Sequence, residues 1–177
     1  MLIGLTAKNA AGKDEVASCL VERHGFSYFS LSDLLREELK KQGCEITREN
    51  LTETGNRLRL RHGSGVLARR ALEALARAER AVVVSIRNPG EVQVLRGRDD
   101  FVLVGVDAPV EVRFEWARRR GRSDDASTLE QFIRQEQAEL AGSDTEQQLE
   151  AVFKLSDRII TNDGSLEELY RKVEQLL

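Results

Sequence analysis

Short apolar runs alternate with amphipathic segments along this chain of 177 residues. Runs rich in β-branched and aromatic residues predict five strands, at residues 2–6, 26–30, 81–85, 101–107 and 158–161. These runs are nearly continuously apolar, as expected for strands that helices cover on both faces. The segments between them have helical patterns. The sequence therefore predicts an α/β fold of three layers around a five-stranded parallel sheet, with ligands at the carboxyl ends of the strands.

Two insertions interrupt this alternation. A long charged helical region, residues 33–78, is broken at Gly43 and at the segment His62-Gly63-Ser64-Gly65. It is too long for a simple crossover, and we expect a helical flap over the substrate. Residues 118–128 are rich in Arg, Asp and Ser and predict a short lid. The chain length predicts that both insertions belong to one domain, residues 1–177.

Composition narrows the class of partner. The formal net charge of −3 argues against general nucleic-acid binding. No stretch approaches the ~18 apolar residues of a membrane span, and no signal-peptide pattern precedes the first strand. We therefore expect a cytoplasmic protein with small-molecule partners, without nucleic-acid or membrane partners, and either a monomer or a homodimer.

The turn after the first predicted strand carries the clearest chemical signal. Residues 7–14 read AKNAAGKD, which matches the phosphate-binding loop at Ala7, Gly12 and Lys13. In such a loop, backbone N–H groups and a helix dipole surround a polyphosphate, and the lysine reaches its β and γ phosphates. The alternative is an ordinary strand-to-helix turn. The predicted nucleotide contacts are Ala7, Lys8, Asn9, Ala10, Ala11, Gly12, Lys13, Asp14 and Glu15.

Asp14 departs from this pattern. A Ser or Thr hydroxyl at this position normally ligates the Mg²⁺ that bridges the nucleotide phosphates. A carboxylate also ligates Mg²⁺, but it adds negative charge beside the phosphates unless a metal lies between them. Either the metal site is rebuilt around Asp14, or catalysis is weak.

Two further segments place cations in helical patterns. Residues 30–37 read SLSDLLRE, where Asp33 and Arg36 lie three apart on one helix face. Arg36 either pairs with a phosphate or forms a surface salt bridge with Asp33. A second group of arginines is either a solvated helix face or a clamp for anions, and the neighbouring motifs favour the clamp. It consists of Arg113, Arg118, Arg119, Arg120 and Arg122.

Four motifs together resemble one enzyme family. The DLLR segment resembles the element with which adenylate-kinase-like enzymes hold the acceptor phosphate, and SIRNPGE at residues 85–91 is similar to their Asp-Gly-Phe-Pro-Arg segment. GRSDD at residues 121–125 resembles the lid of UMP/CMP-kinase-like proteins. NDGSLEEL at residues 162–169 is similar to the last strand-to-helix turn of dephospho-CoA kinases. The chain is thus identified as a member of the P-loop nucleoside and deoxynucleoside monophosphate kinase-like family.

The resemblance implies ATP and Mg²⁺ as cofactors and assigns roles to particular residues. Cations would converge on the transferred phosphoryl group, and the acceptor phosphate would be held beside them. Asn162 would lie near the adenine. The implied catalytic residues are Lys13, Arg87, Arg118, Arg122 and Asp33, and the implied substrate-binding residues are Asp33, Arg36 and Arg87.

Two carboxylates retain alternative roles. Asp33 accepts the proton of an acceptor hydroxyl if the chain works as dephospho-CoA kinases do, and otherwise it orients Arg36 or a metal-bound water. Asp107, at the end of the fourth predicted strand, is a candidate Mg²⁺ ligand together with Asp14. Alternatively, Asp107 caps the helix that starts near Pro109.

The sequence thus predicts an enzyme that moves a phosphoryl group from ATP to a small phosphorylated acceptor, a nucleoside or deoxynucleoside monophosphate. A dephospho-CoA kinase-like activity is the alternative enzyme. A third hypothesis is a nucleotide-binding sensor that has lost turnover. It is motivated by Asp14 and by Val84, which stands where these kinases place an acidic residue.

Overall fold

The structure of the chain is a computed structural model that describes residues 1–120, 127–140 and 148–177. Its strands lie within one residue of the predicted bounds at either end. They are β1 (Leu2–Ala7), β2 (Ser27–Ser30), β3 (Ala81–Val84), β4 (Phe101–Asp107) and β5 (Arg158–Thr161).

Helices connect the strands and fill the predicted insertion between β2 and β3. The helices of the described residues are α1 (Lys13–His24), α2 (Leu31–Lys41), α3 (Arg48–His62), α4 (Val66–Ala74), α5 (Pro89–Leu95), α6 (Val110–Arg120), α7 (Leu129–Leu140), α8 (Leu149–Lys154) and α9 (Leu166–Glu174).

The strands form a five-stranded sheet in the order β2-β3-β1-β4-β5, and every neighbouring pair is parallel. This confirms the predicted fold class. The chain leaves β1 towards one edge of the sheet and leaves β3 towards the other. Because β1 and β3 are neighbours, a crevice opens between the connections that follow them, at the carboxyl ends of the strands.

The nearly continuous apolar runs are explained by a core on each face of the sheet. Ala81 and Val83 of β3 pack in one hydrophobic cluster, whereas Val82 and Val84 pack in the other. The first cluster includes residues of α2, α3, α4, α5 and α8. The second includes residues of α1 and α9. Successive strand residues point to opposite faces, so each strand must be apolar at almost every position.

The predicted flap region contains α2, α3 and α4. Its breaks fall where the sequence placed them, at Gly43, which has a positive φ of 67°, and at residues 63–65. The predicted lid lies only in part within the described residues. Arg118 to Arg120 form the last turn of α6, Ser127 and Thr128 precede α7, and residues 121–126 lie outside the described ranges. That these regions act as flap and lid stays a prediction.

None of the helices in the described residues is long and apolar enough to cross a membrane.

Asp100, in the turn before β4, provides a test of this fold. Its carboxylate accepts hydrogen bonds from Arg98 Nε (2.8 Å) and Nη2 (2.7 Å), and the Met1 amino group lies 2.7 Å away. The Arg98 hydrogen bonds, followed by the Met1 amino group, hold the pKa of Asp100 well below its usual range. The ion pairs are therefore intact above the unfolded pKa of about 4 and are lost as the pH falls towards the lower folded pKa.

We expect Asp100→Asn to lower the free energy of unfolding at pH 7 by up to about 1 kcal/mol, the range of exposed ion pairs. The difference from wild type should shrink below about pH 4, because wild-type Asp100 is then protonated in the unfolded chain. Urea unfolding at several pH values measures this. Asp99→Asn, at the exposed neighbouring position, is the control. A deficit that stays constant with pH would contradict the assignment.

Candidate functional site

A continuous cleft of about 1160 Å³ lies at the carboxyl ends of β1, β2 and β3. Typical small-molecule sites occupy roughly 300–1,000 Å³, so this cleft has room for a nucleotide and a second small ligand. It brings together most of the residues selected from the sequence. The selected residues that line it are Ala7, Lys8, Asn9, Ala10, Ala11, Gly12, Lys13, Asp14, Glu15, Asp33, Arg36, Arg87 and Asn162.

The loop between β1 and α1 has the backbone conformation of an anion site. Gly12 directly precedes α1 with a φ of 91°, a region that residues with a Cβ rarely adopt. A Cβ at Gly12 would also lie 2.3 Å from Asn162 Nδ2. No side chain caps the first N–H groups of α1, which face the cleft with the positive end of the helix dipole. A phosphate satisfies these donors.

Two residues distant in sequence hold this loop in place. Asn162, 8% exposed, donates from Nδ2 to Ala11 O (3.1 Å), and its backbone N–H donates to Asp107 O (2.7 Å). Arg113, 3% exposed, donates from Nη1 to Asn9 O (3.1 Å) and pairs with Glu136 of α7. Arg113 is therefore a buried support and not part of a surface clamp. No local sequence pattern signals this contact, because the partners are 104 residues apart.

Lys13 and Asp14 are paired. The Lys13 ammonium lies 2.5 Å from Asp14 Oδ1, and the Asp14 side chain is 82% exposed at the edge of the cleft. Among the described residues, no group of three or more His, Cys, Asp or Glu side chains is placed to hold a metal. Mg²⁺ bound to a nucleotide needs only one or two carboxylates, because phosphate oxygens and water complete its coordination. Asp14 fits that requirement.

Asp107, the other predicted Mg²⁺ ligand, does not lie beside Asp14 in the cleft. Its carboxylate accepts hydrogen bonds from Lys8 Nζ (2.8 Å) and from the Ala108 backbone N–H (2.8 Å), and it does not line the cleft. The Lys8 ammonium also lies over the Phe153 ring. These contacts hold the chain just before α6, but neither is a helix cap, because Ala108 precedes the first residue of that helix, Val110. The metal assignment for Asp107 has no geometric support.

The opposite wall of the cleft begins at the amino end of α2. Arg36 Nη1 donates to Asp33 Oδ1 (2.8 Å) and to Ser32 Oγ (2.7 Å). The side chains of Arg36 and Asp33 are 43% and 58% exposed, and both line the cleft. The predicted salt bridge is thus present, and it lies where a ligand can reach the guanidinium. The two hypotheses for Arg36 are compatible.

Three serine hydroxyls lie together at the ends of β2 and β3. Ser30 Oγ is 2.9 Å from Ser32 Oγ and 3.2 Å from Ser85 Oγ. Val84 is 1% exposed in the hydrophobic cluster beneath α1, so the side chain that enters the cleft from the end of β3 is Ser85. A hydroxyl therefore stands near the position where the resemblance implies an acid. Ser85 was not among the site residues predicted from the sequence.

Arg87 follows in a tightly held turn. Its backbone N–H donates to Glu91 Oε2 (2.8 Å), and the Asn88 N–H donates to the same oxygen (3.2 Å). Glu91 is fully buried and pairs with Arg59 of α3 at 2.8 Å. Burial raises the pKa of Glu91, while the Arg59 guanidinium and the two N–H groups oppose that rise. The sequence Asn-Pro-Gly-Glu is typical of a helix start, but it does not reveal Arg59 as a partner.

The arginines at the end of α6 separate by helix face. Arg118 lies outside the cleft, with Nη1 3.6 Å from Glu115 Oε1, whereas Arg120 and Trp116 line the cleft. Residues two apart on a helix point in nearly opposite directions, so Arg118 and Arg120 cannot serve the same site in this helix. Arg122, the other predicted lid cation, lies outside the described residues, as does the whole GRSDD segment.

Ser85 has a left-handed backbone conformation, with a φ of 63°. For a residue with a Cβ this conformation costs about 1–2 kcal/mol. We expect Ser85→Gly to be more stable than Ser85→Ala by about 1 kcal/mol, because both variants lack the hydroxyl and only Gly relieves the strain. Urea unfolding of the two variants measures this difference. Equal stabilities would show that position 85 is unstrained.

The chain is similar to several known proteins. The AAA domain family matches residues 9–134, most of the chain. The UPF0200 protein TK1334 of Thermococcus kodakarensis is 33% identical over 184 aligned positions, which cover 100% of this chain and 96% of that protein. A UPF0200 protein of Hyperthermus butylicus is 34% identical, and the alignment covers 99% of this chain and 93% of that protein.

Solved structures share the fold at lower identity. TT1252 from Thermus thermophilus has a TM-score of 0.64 at 22% identity, covering 99% of this chain and 95% of its own. The shikimate kinase of Acinetobacter baumannii in complex with shikimate has a TM-score of 0.58 at 19% identity. The alignment covers 99% of this chain and 91% of that chain. These likenesses support the P-loop kinase type of fold but not a particular branch of monophosphate kinases. The chain belongs to the UPF0200 family and contains an AAA domain.

Proposed function

We propose that this protein transfers the γ-phosphoryl group of ATP to a small phosphorylated acceptor, a nucleoside or deoxynucleoside monophosphate. One observation carries the proposal. Lys13 on the loop wall and Arg36 and Arg87 on the opposite wall line the same cleft. Phosphoryl transfer requires mainly positioning and stabilisation of negative charge, which cations on both sides of the reacting group provide.

On the donor side, the backbone N–H groups that precede and open α1 would bind the polyphosphate. The Lys13 ammonium would exchange Asp14 for phosphate oxygens, since an exposed ion pair is weak. Asp14 would then be released to hold Mg²⁺. The metal, when bound, would neutralise charge that develops on the transferred group. This exchange reconciles Asp14 with activity despite the missing hydroxyl.

On the acceptor side, Arg36 and Arg87 would hold the acceptor phosphate. Leu35 of α2 and Leu51 of α3 line the same wall and offer an apolar surface to a base. Ser32 and Ser85 add hydroxyl donors close to Arg36. This combination of apolar wall and cations suits a monophosphate that carries a base.

A hydroxyl acceptor, as in a dephospho-CoA kinase-like reaction, is the second candidate. It is favoured by the Asp33 carboxylate, which lines the cleft beside Arg36. This carboxylate would take the proton of the acceptor hydroxyl. The sensor hypothesis is supported by Ser85, which places a hydroxyl where an acidic residue would organise the metal's water.

The test is ADP formation from ATP and Mg²⁺ with a panel of nucleoside monophosphates, deoxynucleoside monophosphates and dephospho-CoA. We expect turnover with one acceptor class and a loss of about 10³-fold in Lys13→Ala, because that ammonium stabilises the transferred group. Turnover with dephospho-CoA alone would identify the second candidate. Nucleotide binding without turnover on any acceptor would favour the sensor, and unchanged nucleotide affinity in Lys13→Ala would contradict the loop assignment.

The arginines at the end of α6 allow a second test. We expect Arg120→Ala to lower kcat/KM by about tenfold or more, because its side chain lines the cleft. Arg118→Ala should have a smaller effect, since Arg118 pairs with Glu115 outside the cleft. Steady-state kinetics of the two variants compares them directly. A larger loss in Arg118→Ala would favour the assignment that the sequence suggested.

A further inference from the structure

We infer that the buried Arg59–Glu91 ion pair positions Arg87. The pair also fixes the distance between Arg87 and the side chains of α3 that line the cleft. Arg59 also lines the cleft, but its side chain is 2% exposed and its guanidinium is paired with Glu91, so we treat Arg59 and Glu91 as positioning residues. The inference deepens the proposed function, since its catalytic consequence rests on an acceptor bound by Arg87.

The Glu91 carboxylate is the junction of this arrangement. Glu91 Oε1 accepts hydrogen bonds from Arg59 Nε (3.0 Å) and Nη2 (2.8 Å). The other oxygen accepts from the backbone N–H groups of Arg87 and Asn88. The Glu91 and Arg59 side chains are 0% and 2% exposed, so water does not compete for these bonds. One carboxylate therefore ties a helix of the insertion to the turn that carries Arg87.

The Arg87 peptide is held on both sides. Glu91 accepts from its N–H group, while its carbonyl oxygen accepts from the Gln148 backbone N–H at 2.7 Å. With both groups bonded, the Cα of Arg87 has a defined position, and its side chain starts from a fixed point at the edge of the cleft. Removal of the Glu91 carboxylate frees one of these two restraints.

The turn between α3 and α4 also lies directly on the start of α5. A Cβ at Gly65 would meet Gly90 O at 2.8 Å and Val94 Cγ2 at 2.4 Å. A Cβ at Gly90 would meet Ser64 Oγ at 2.0 Å. Two glycines thus permit the close approach of the two segments, which brings Arg59 onto Glu91. The break at residues 63–65 therefore ends α3 and also packs against the start of α5, which holds α3 beside Glu91.

The position of this anchor along α3 gives it a consequence for the acceptor. Arg48, Leu51 and Thr52, near the start of α3, line the cleft, and Arg59 lies two turns further along. Since α3 is anchored beside Arg87, the side chains of its first turns stand at a set distance from Arg87. If the Arg59–Glu91 pair were weaker, the distance between Arg87 and the cleft-lining side chains of α3 would change. The loop between β1 and α1 would not be affected.

The test uses the double variant Arg59→Met/Glu91→Leu, because apolar residues of similar volume often replace a buried ion pair without loss of stability. The first readout is amide hydrogen exchange of Arg87 and Asn88 by NMR on the ligand-free protein. We expect exchange at both amides to be at least tenfold faster than in wild type. The matched control is Glu150→Leu/Lys154→Met. It removes an exposed ion pair on α8 and introduces the same two residue types, Leu and Met. Its Arg87 and Asn88 amides should exchange as in wild type.

The second readout is the kinetic constants with the acceptor that the panel identifies. We expect the double variant to raise the KM for the acceptor, or lower kcat, by at least tenfold while the KM for ATP stays within twofold. Glu91→Gln should fall between wild type and the double variant, because one amide oxygen can accept from Arg59 or from the Arg87 N–H group but replaces only part of the carboxylate's bonds. A purely structural pair would change the ATP and acceptor constants together.

Besides a joint change of the ATP and acceptor constants, two results would overturn the inference. One is unchanged protection of the Arg87 and Asn88 amides in the double variant. The other is faster exchange with unchanged acceptor constants. If wild type turns over no acceptor, the proposed function fails by itself, and the exchange result alone decides whether Glu91 clamps Arg87. If the double variant does not fold, Glu91→Gln decides by the same two readouts.

Discussion

The parallel pairing of β1 between β3 and β4 is the constraint on which the rest of this structure depends. Ala7, the last residue of β1, lies opposite Val106 near the end of β4, and Ser30 of β2 lies opposite Val84 of β3. The strands therefore end at one edge, where their following loops meet. Three features converge there because the strands that precede them are in register. They are the loop between β1 and α1, the serine hydroxyls and the turn at Arg87.

The cations of the cleft region differ in how firmly they are held. Lys13 and Arg36 are partly exposed and pair with the exposed Asp14 and Asp33, where such pairs contribute little free energy. An anionic ligand can take these cations at small cost. Arg59 and Arg113 are buried with carboxylate partners, where removal of one partner leaves an uncompensated charge. The exposed pairs are therefore suited to exchange with ligands, and the buried pairs are suited to support.

Backbone strain is concentrated at the same edge of the sheet. Among the described residues, the non-glycine residues with positive φ are Ala10 in the loop after β1 and Ser85 after β3. Both line the cleft. Such strain persists where surrounding contacts hold the backbone, and here these contacts include the Asn162 and Arg113 hydrogen bonds to the Ala11 and Asn9 carbonyl groups. Rigid support of this loop is what a pre-organised binding site requires.

Local sequence patterns were enough to predict the strands of the sheet and the loop between β1 and α1. Periodicity and β-branched composition are local properties, so the strands were predicted within one residue, and Gly12 and Lys13 marked the start of α1. Which charged groups meet depends on how the chain folds. Arg59 finds Glu91 32 residues away and Arg113 finds Asn9 104 residues away, and Arg120 enters the cleft while Arg118 points elsewhere. Charged side chains look alike in sequence, and their roles depend on burial and on partners that the fold brings together across long chain separations.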